Sequence, residues 1–385
     1  MIVQRIRCYH YNEAFRIPFH SPQIKRLRAD SVIVRLDCGA HGFGWGESAP
    51  RHYVTGESIE SVLALWEREF APLLFANAFD TLEEVEQLLA KLEAACRTRG
   101  HKAYHSALGA ADLALIDVLR RAGRLEVSQL FPKQYRQALR FSVSVPFVDP
   151  AVVEKFFPIL FAHFDQPIFK VLLGTDFEAN FRRMKQLRRL AGEAAEIRLE
   201  VNGKLTREQV LEVVDQIRPF NPVAIEQPLP ASDIEGIRQL RQESGLAVVV
   251  DESLISPKDA ETLLAEKACD IFNIKISKCG GLLRAKVIAQ MAAQAGVNCQ
   301  VGTHVGESEL LGAAGRQLAR GIPNFDCYGG GSQLLFSRIP EAQTGNAAMN
   351  TLEAAFEPLS GPVPISPKAA FIKHSSICLD LKSSH

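Results

Sequence analysis

The sequence has 385 residues, of which 47% are hydrophobic and 23% charged, so disorder, a collagen-like repeat and a coiled coil are excluded. Its 44 Lys+Arg balance 44 Asp+Glu, and a net charge of zero gives no global attraction to nucleic acid or anionic membrane. A small molecule is the expected ligand.

The N-terminal stretch MIVQRIRCYHYNEAF alternates polar and apolar residues as a strand does, and it lacks the basic-then-apolar pattern of a secretory signal. SVIVRLDCG followed by HGFGWGESAP predicts an antiparallel hairpin. Three helices follow by periodicity, within ESVLALWEREFAPLLF, TLEEVEQLLAKLEAACRTR and AYHSALGAADLALIDVLRRAG. Residues 1–135 therefore read as an α+β domain. From 136 to 337, eight short apolar runs alternate with amphipathic stretches: LRFSVSV (139–145), PIFKVLL (167–173), EIRLEVN (196–202), PVAIEQ (222–227), LAVVVDES (246–253), IFNIKIS (271–277), VNCQVG (297–302) and NFDCYG (324–329). This is the rhythm of a (β/α)8-type TIM barrel. A doubly wound sheet fits less well, since no GxGxxG follows the first strand. Residues 338–385, rich in Pro, Ser and Ala, are expected to return to the N-terminal domain as loops and short strands. The cysteines (Cys8, Cys38, Cys96, Cys269, Cys279, Cys299, Cys327, Cys378) form no CxxC pair and read as buried thiols. With no run of 18 apolar residues, the expectation is a cytoplasmic protein without membrane or nucleic-acid partners.

Strand alternation places Arg198, Glu200 and Asn202 on one face, directed into the barrel. The same parity sets Glu226, Asp251 and Lys275 at the ends of the next three strands, at the rim where barrel enzymes keep their active sites. Three carboxylates crowded there repel unless a cation compensates them. An all-oxygen donor set suits Mg2+, or Mn2+, over Zn2+. Lys275 could then remove the proton α to a bound carboxylate, giving an enediolate, or could simply pair with Asp251 or Glu252. Lys170, which shares an inward face with Leu172, reads as a second cation near the substrate or as a structural ion pair. In VGTHVGESEL, His304 could act as an acid and Glu307 could accept a hydrogen bond from a lysine; alternatively Gly302 and Gly306 shape a turn and Glu307 caps the next helix. Lys278-Cys279-Gly280-Gly281 reads as turn chemistry, and Tyr328 with the glycines up to Ser332 as a flexible loop able to cradle an anion.

These residues resemble the enolase superfamily, and within it the mandelate racemase/muconate lactonizing enzyme family, nearest its muconate-lactonizing subgroup. The resemblance runs through GFGWGESAP (42–50), VTGES (54–58), ALGAADLALIDVL (107–119), IEQPL (225–229), VVDES (249–253) and IKISKCGGL (274–282). It implies an N-terminal capping domain completed by the C-terminal segment, Glu200, Glu226 and Asp251 as Mg2+ ligands, Lys275 as acid/base, and Asn202 beside ligands and substrate. The loop 20–30, with Lys25, Arg26 and Arg28, and the turn Arg51-His52-Tyr53 would close over the mouth, with Arg26 and Tyr53 touching the substrate. A small-molecule carboxylate substrate and a homo-oligomer are also implied.

Two positions depart from the family pattern. Asp-x-Asn is here Glu200-Val201-Asn202, and Lys-x-Lys is Lys170-Val171-Leu172. Losing the second lysine favours chemistry on one face of the substrate, so the main expectation is a Mg2+-dependent lyase or isomerase working by dehydration, elimination or cycloisomerisation. The alternatives are a racemase or epimerase with His304 or Lys204 as a non-standard second base, and a non-catalytic carboxylate- or partner-binding barrel.

Overall fold

The computed structural model describes residues 1–20, 25–145, 151, 153–155, 157, 158, 167–332 and 375–383. Strands β1 (Arg5–Tyr11), β2 (Ala14–His20), β3 (Lys25–Arg28), β4 (Ser31–Asp37) and β5 (Phe43–Ser48) open the chain. β1, β4 and β5 form an antiparallel sheet whose outer edge is strand Ser375–Lys382, and β2 pairs with β3 apart from it. The C-terminal segment thus does return to the N-terminal sheet; residues 338–374 of that expectation lie outside the described residues. Helix His105–Arg121 is buried from Ser106 to Leu119 because it lies between this sheet and the barrel. Its approach explains the glycines of GFGWG, since a Cβ on Gly46 would stand 1.9 Å from the Ala110 carbonyl oxygen.

The barrel strands are β6 (Ser142–Val145), β7 (Ile168–Leu172), β8 (Ile197–Glu200), β9 (Pro222–Glu226), β10 (Ala247–Val250), β11 (Ile271–Ile274), β12 (Asn298–Val301) and β13 (Phe325–Tyr328). They pair in parallel in that order, and a parallel bridge between Phe141 and Tyr328 joins the two ends. With that numbering the C-terminal strand Ser375–Lys382 is β14. The predicted helices form at Phe177–Ala191, Arg207–Ile217, Ile234–Glu243 and Pro257–Ala265, each entered through a side-chain cap from Asp176, Thr206, Asp233 or Ser256. Inside the barrel Ala224, Val249 and Ile271 make a small apolar plug of their own. Polar side chains occupy the interior above it.

Two buried carboxylates join the N-terminal domain to the barrel. Glu47 accepts from the Ser308 amide at 2.8 Å, and Asp112 accepts from the Leu282 amide at 2.6 Å, each at the start of a barrel helix. A helix N-terminus presents unpaired N–H groups and the positive end of its dipole, so an acid is a favourable partner. Both contacts adjoin the loops after β11 and β12. The thiols are buried as expected except Cys378, which β14 leaves exposed at the sheet edge. No helix among the described residues is long and apolar enough to cross a membrane.

Candidate active site

Three strand ends converge. Oxygens of Glu200, Glu226 and Asp251 all lie within 4.8 Å of one another, and all three side chains are buried. Lys170 donates to Glu200 at 2.8 Å and to Glu226 at 3.1 Å. Asn273 and Gln300 also donate to Glu226, at 2.7 and 2.8 Å. Lys275 donates to Asp251 at 2.5 Å, and Asn202 donates to Glu200 at 2.8 Å. Sequence parity therefore placed Glu200, Glu226, Asp251, Asn202, Lys170 and Lys275 in one cluster.

The charges act strongly on one another here. Burial raises the pKa of Glu226, and the charges of Glu200 and Asp251 add to that although Lys170 opposes it. For Asp251 burial works the same way, but Lys275 and Lys278 overcome it and hold the carboxyl well below its ordinary range. Burial would lower both lysines, yet Glu200 and Glu226 hold Lys170, and Asp251 holds Lys275, above the usual value. Both are ammonium groups in this arrangement. Beside them burial and Asp251 push Glu252 up to about 7, and its Oε2 is a buried oxygen without a hydrogen-bond partner. A compact all-oxygen set with crowded negative charge fits a hard divalent cation.

Lys278 corrects the sequence reading of its segment as turn chemistry alone. Its side chain is fully buried, and its ammonium donates to Asp251 Oδ1 at 2.7 Å, to the Asp251 carbonyl at 2.6 Å and to the Asn273 carbonyl at 2.9 Å. Two of its N–H bonds hold Asp251 and the third anchors the ammonium to the β11 backbone, so all three are used. Gln227 also escaped notice. It follows Glu226 with φ 39°, in the left-handed region, and its Oε1 accepts from the amides of Asp251 and Ser253 at 2.9 and 3.1 Å. That side chain ties the end of β9 to the end of β10. Gly302 is required beside Lys275, because a Cβ there would come within 2.2 Å of Asn273 Oδ1 and 2.8 Å of Lys275 Cε.

The loop after β12 is folded onto itself. The His304 amide donates to Glu307 at 2.8 Å, and the cap of helix Glu309–Gly321 is Ser308 rather than Glu307. His304 is buried with neither ring nitrogen hydrogen-bonded, and burial with Lys275 and Arg51 nearby holds its pKa well below the ordinary value. Burial and the Glu47 charge push Glu307 up to about 8. Since this lies above the ordinary 4.5, the fold favours the protonated acid, and stability falls as pH rises from about 4.5 through about 8. Glu307→Gln should flatten that fall; melting temperatures at pH 5.5 and 8.5 should differ less in the variant than in the wild type.

The residues read as a lid are less concentrated. Arg51 is fully buried and donates to the Val305 carbonyl at 2.7 Å, linking the capping turn to the β12 loop. Arg26 and Tyr53 are half-buried near Arg51, and among the described residues neither pairs with the acid cluster. Lys25 and Arg28 are exposed, Arg28 bonding Asn12; residues 21–24 lie outside the described residues. Lys204 is exposed, which removes it as a buried second base. The segment Gly329–Ser332 is a tight 3-10 turn rather than an open loop. A cleft beside Lys170 is lined by Phe19, Ser142, Ser144, Gln300 and Thr303.

An eight-stranded parallel barrel with acids at the ends of three consecutive strands and lysines on both sides of them defines a class of enzyme rather than a single reaction. Residues 162–340 match the family described as enolase C-terminal domain-like. The hydrophobic dipeptide epimerase of Enterococcus faecalis is 26% identical over 77% of this chain and 80% of that one. The N-succinyl-L-Arg/Lys racemase of Bacillus cereus is 27% identical over 80% of this chain and 82% of that one. A crystal structure of the dipeptide epimerase of Methylococcus capsulatus, complexed with Mg and L-Arg-D-Lys, has TM-score 0.74 and 26% identity, covering 88% of this chain and 93% of that one. In sequence and in fold the chain is thus similar to enzymes of the enolase superfamily.

Proposed function

We propose that this protein is a Mg2+-dependent racemase or epimerase that inverts the carbon α to the carboxylate of an amino-acid derivative, an N-acyl amino acid or a dipeptide. The observation that carries this reading is the placement of Lys170 and Lys275. They stand on β7 and just beyond β11, four strands apart in an eight-stranded barrel, and their ammonium groups reach the acid cluster from opposite sides. Inversion requires a proton to leave one face of the carbon and another to arrive on the other face. Relatives that are epimerases and racemases support the same reading.

Glu200, Glu226 and Asp251 would hold the ion. Such an ion would give the substrate carboxylate an electrophilic partner and, by its positive charge, would favour the neutral form of a neighbouring lysine, so that one lysine can be the base while the other stays the ammonium acid. Lys275 takes the proton α to the carboxylate and Lys170 delivers one from the far side, or the reverse for the other enantiomer. Lys278 and Gln227 keep Asp251 in place, and Arg51 with the capping turn shuts the mouth against water. The cleft beside Lys170, walled by Phe19, Ser142 and Thr303, gives the remainder of the substrate its place.

A second reading keeps one specific observation in its favour. Leu172 is buried, two residues beyond Lys170 and in register with Glu200, so an apolar side chain stands where the family pattern has its second lysine. Chemistry on one face with Lys275 alone, a lyase or cycloisomerase reaction, would follow. Incubation of single enantiomers of N-acyl amino acids and dipeptides with Mg2+ in D2O separates the two. Deuterium at the α carbon with loss of optical activity is expected; deuterium with full retention, or an eliminated product, would favour the second reading.

A further inference from the structure

We propose that Gln300 and Arg198 form a positioning relay through the barrel interior that sets Glu226 as an ion ligand, an inference that rests on reading the three acids as a Mg2+ site. Arg198 lies two residues before Glu200 on the same inward face, one layer deeper. From β8 its guanidinium crosses to β12, where Nη1 donates to Gln300 Oε1 at 2.9 Å. The Gln300 Nε2 then donates to Glu226 Oε2 at 2.8 Å. All three side chains are buried.

Chemistry fixes the direction of this chain. An arginine can only donate, so the amide oxygen must face it and the amide NH2 must face Glu226. The rest of the guanidinium is held by Glu196, at 2.6 and 2.9 Å, and by Asp326, so Arg198 is anchored from below and its charge is met there. Glu226 Oε1 meanwhile accepts from Asn273 and Lys170. Three donors on a carboxylate with about four lone-pair sites leave about one for a cation, which makes Glu226 a single-contact ligand of fixed orientation. Without Gln300, Oε2 would lose its only side-chain donor among the described contacts, and the carboxylate could turn.

The test is Mg2+ binding by the full-length protein, followed by calorimetric titration and by melting temperature with and without the ion. Wild type, Gln300→Leu, Gln300→Met, Arg198→Met and the double variant Gln300→Met/Arg198→Met are compared. Loss of a group that orients a metal ligand weakens affinity tenfold or more, so about a tenfold rise in Kd is expected for the Gln300 variants. A smaller rise is expected for Arg198→Met, vanishing in the Gln300→Met background. If Gln300→Leu fails to fold, the volume-matched Gln300→Met carries the comparison. Unchanged Kd in the Gln300 variants, or an Arg198→Met effect that persists undiminished in the double variant, overturns the relay while leaving the ion site standing. A wild type whose melting temperature ignores Mg2+ overturns both. A purely structural role would lower the ion-free melting temperature and leave Kd as it was.

Discussion

Replacing Lys275 by alanine should slow deuterium exchange at the α carbon by about 10³-fold, within the range that removal of a positioned acid or base produces. The lysine is 8% exposed and meets Asp251 at 2.5 Å, while Lys278 donates to the other oxygen of that carboxylate. Asp251 therefore keeps a buried cation after the substitution, and the fold should survive. Exchange measured by proton NMR under saturating Mg2+, with circular dichroism as the control for folding, checks the expectation. A variant within tenfold of wild type would remove Lys275 from the chemistry.

Lys170→Met should have the largest effect on stability. Lys170 is bonded to two buried carboxylates at once, and breaking a buried pair by removing one partner costs about 3–5 kcal/mol, because the remaining charge is left uncompensated. A cation that binds only the folded state restores stability by mass action, and here it would also replace the missing positive charge. The loss should accordingly be large in EDTA and much smaller in saturating Mg2+, read as denaturant midpoints in the two buffers. Equal losses in both would mean that lysine and ion do not compensate the same carboxylates. On the proposed mechanism exchange should fall as well, because Lys170 would be one of the two proton-transfer groups.

What could be read in the sequence was what depends on local rules. Strand alternation brought Glu200, Glu226, Asp251 and Lys275 to one rim because parity along a strand and the repeat of one βα unit are local properties. The eight strands were legible for the same reason. Lys278 was not, because it lies just past a strand end where alternation no longer applies, and the Cys-Gly-Gly after it signals a turn whatever the lysine does. Gln300 carried no charge to attract attention, and only the contact across the barrel gives it meaning. Arg51 resembled a loop cation, and its burial follows from docking against Val305, 254 residues away. For the reaction, Leu172 pointed toward one-face chemistry. That the cluster has a lysine on each side emerges only when the barrel is closed.

The pairing of β1 with β14 bears on how the chain is made. Arg5 stands opposite Lys382, so this strand pair joins residues that leave the ribosome at opposite ends of the barrel's synthesis. On its other side β1 pairs with β4, only some twenty residues further on, and that hairpin-like contact is available early. Throughout translation of the barrel β1 therefore presents a bare hydrogen-bonding edge, the kind of surface on which nascent chains associate wrongly. The capping sheet is begun before the barrel and completed after it, so this edge stays unpaired while the barrel strands are being made.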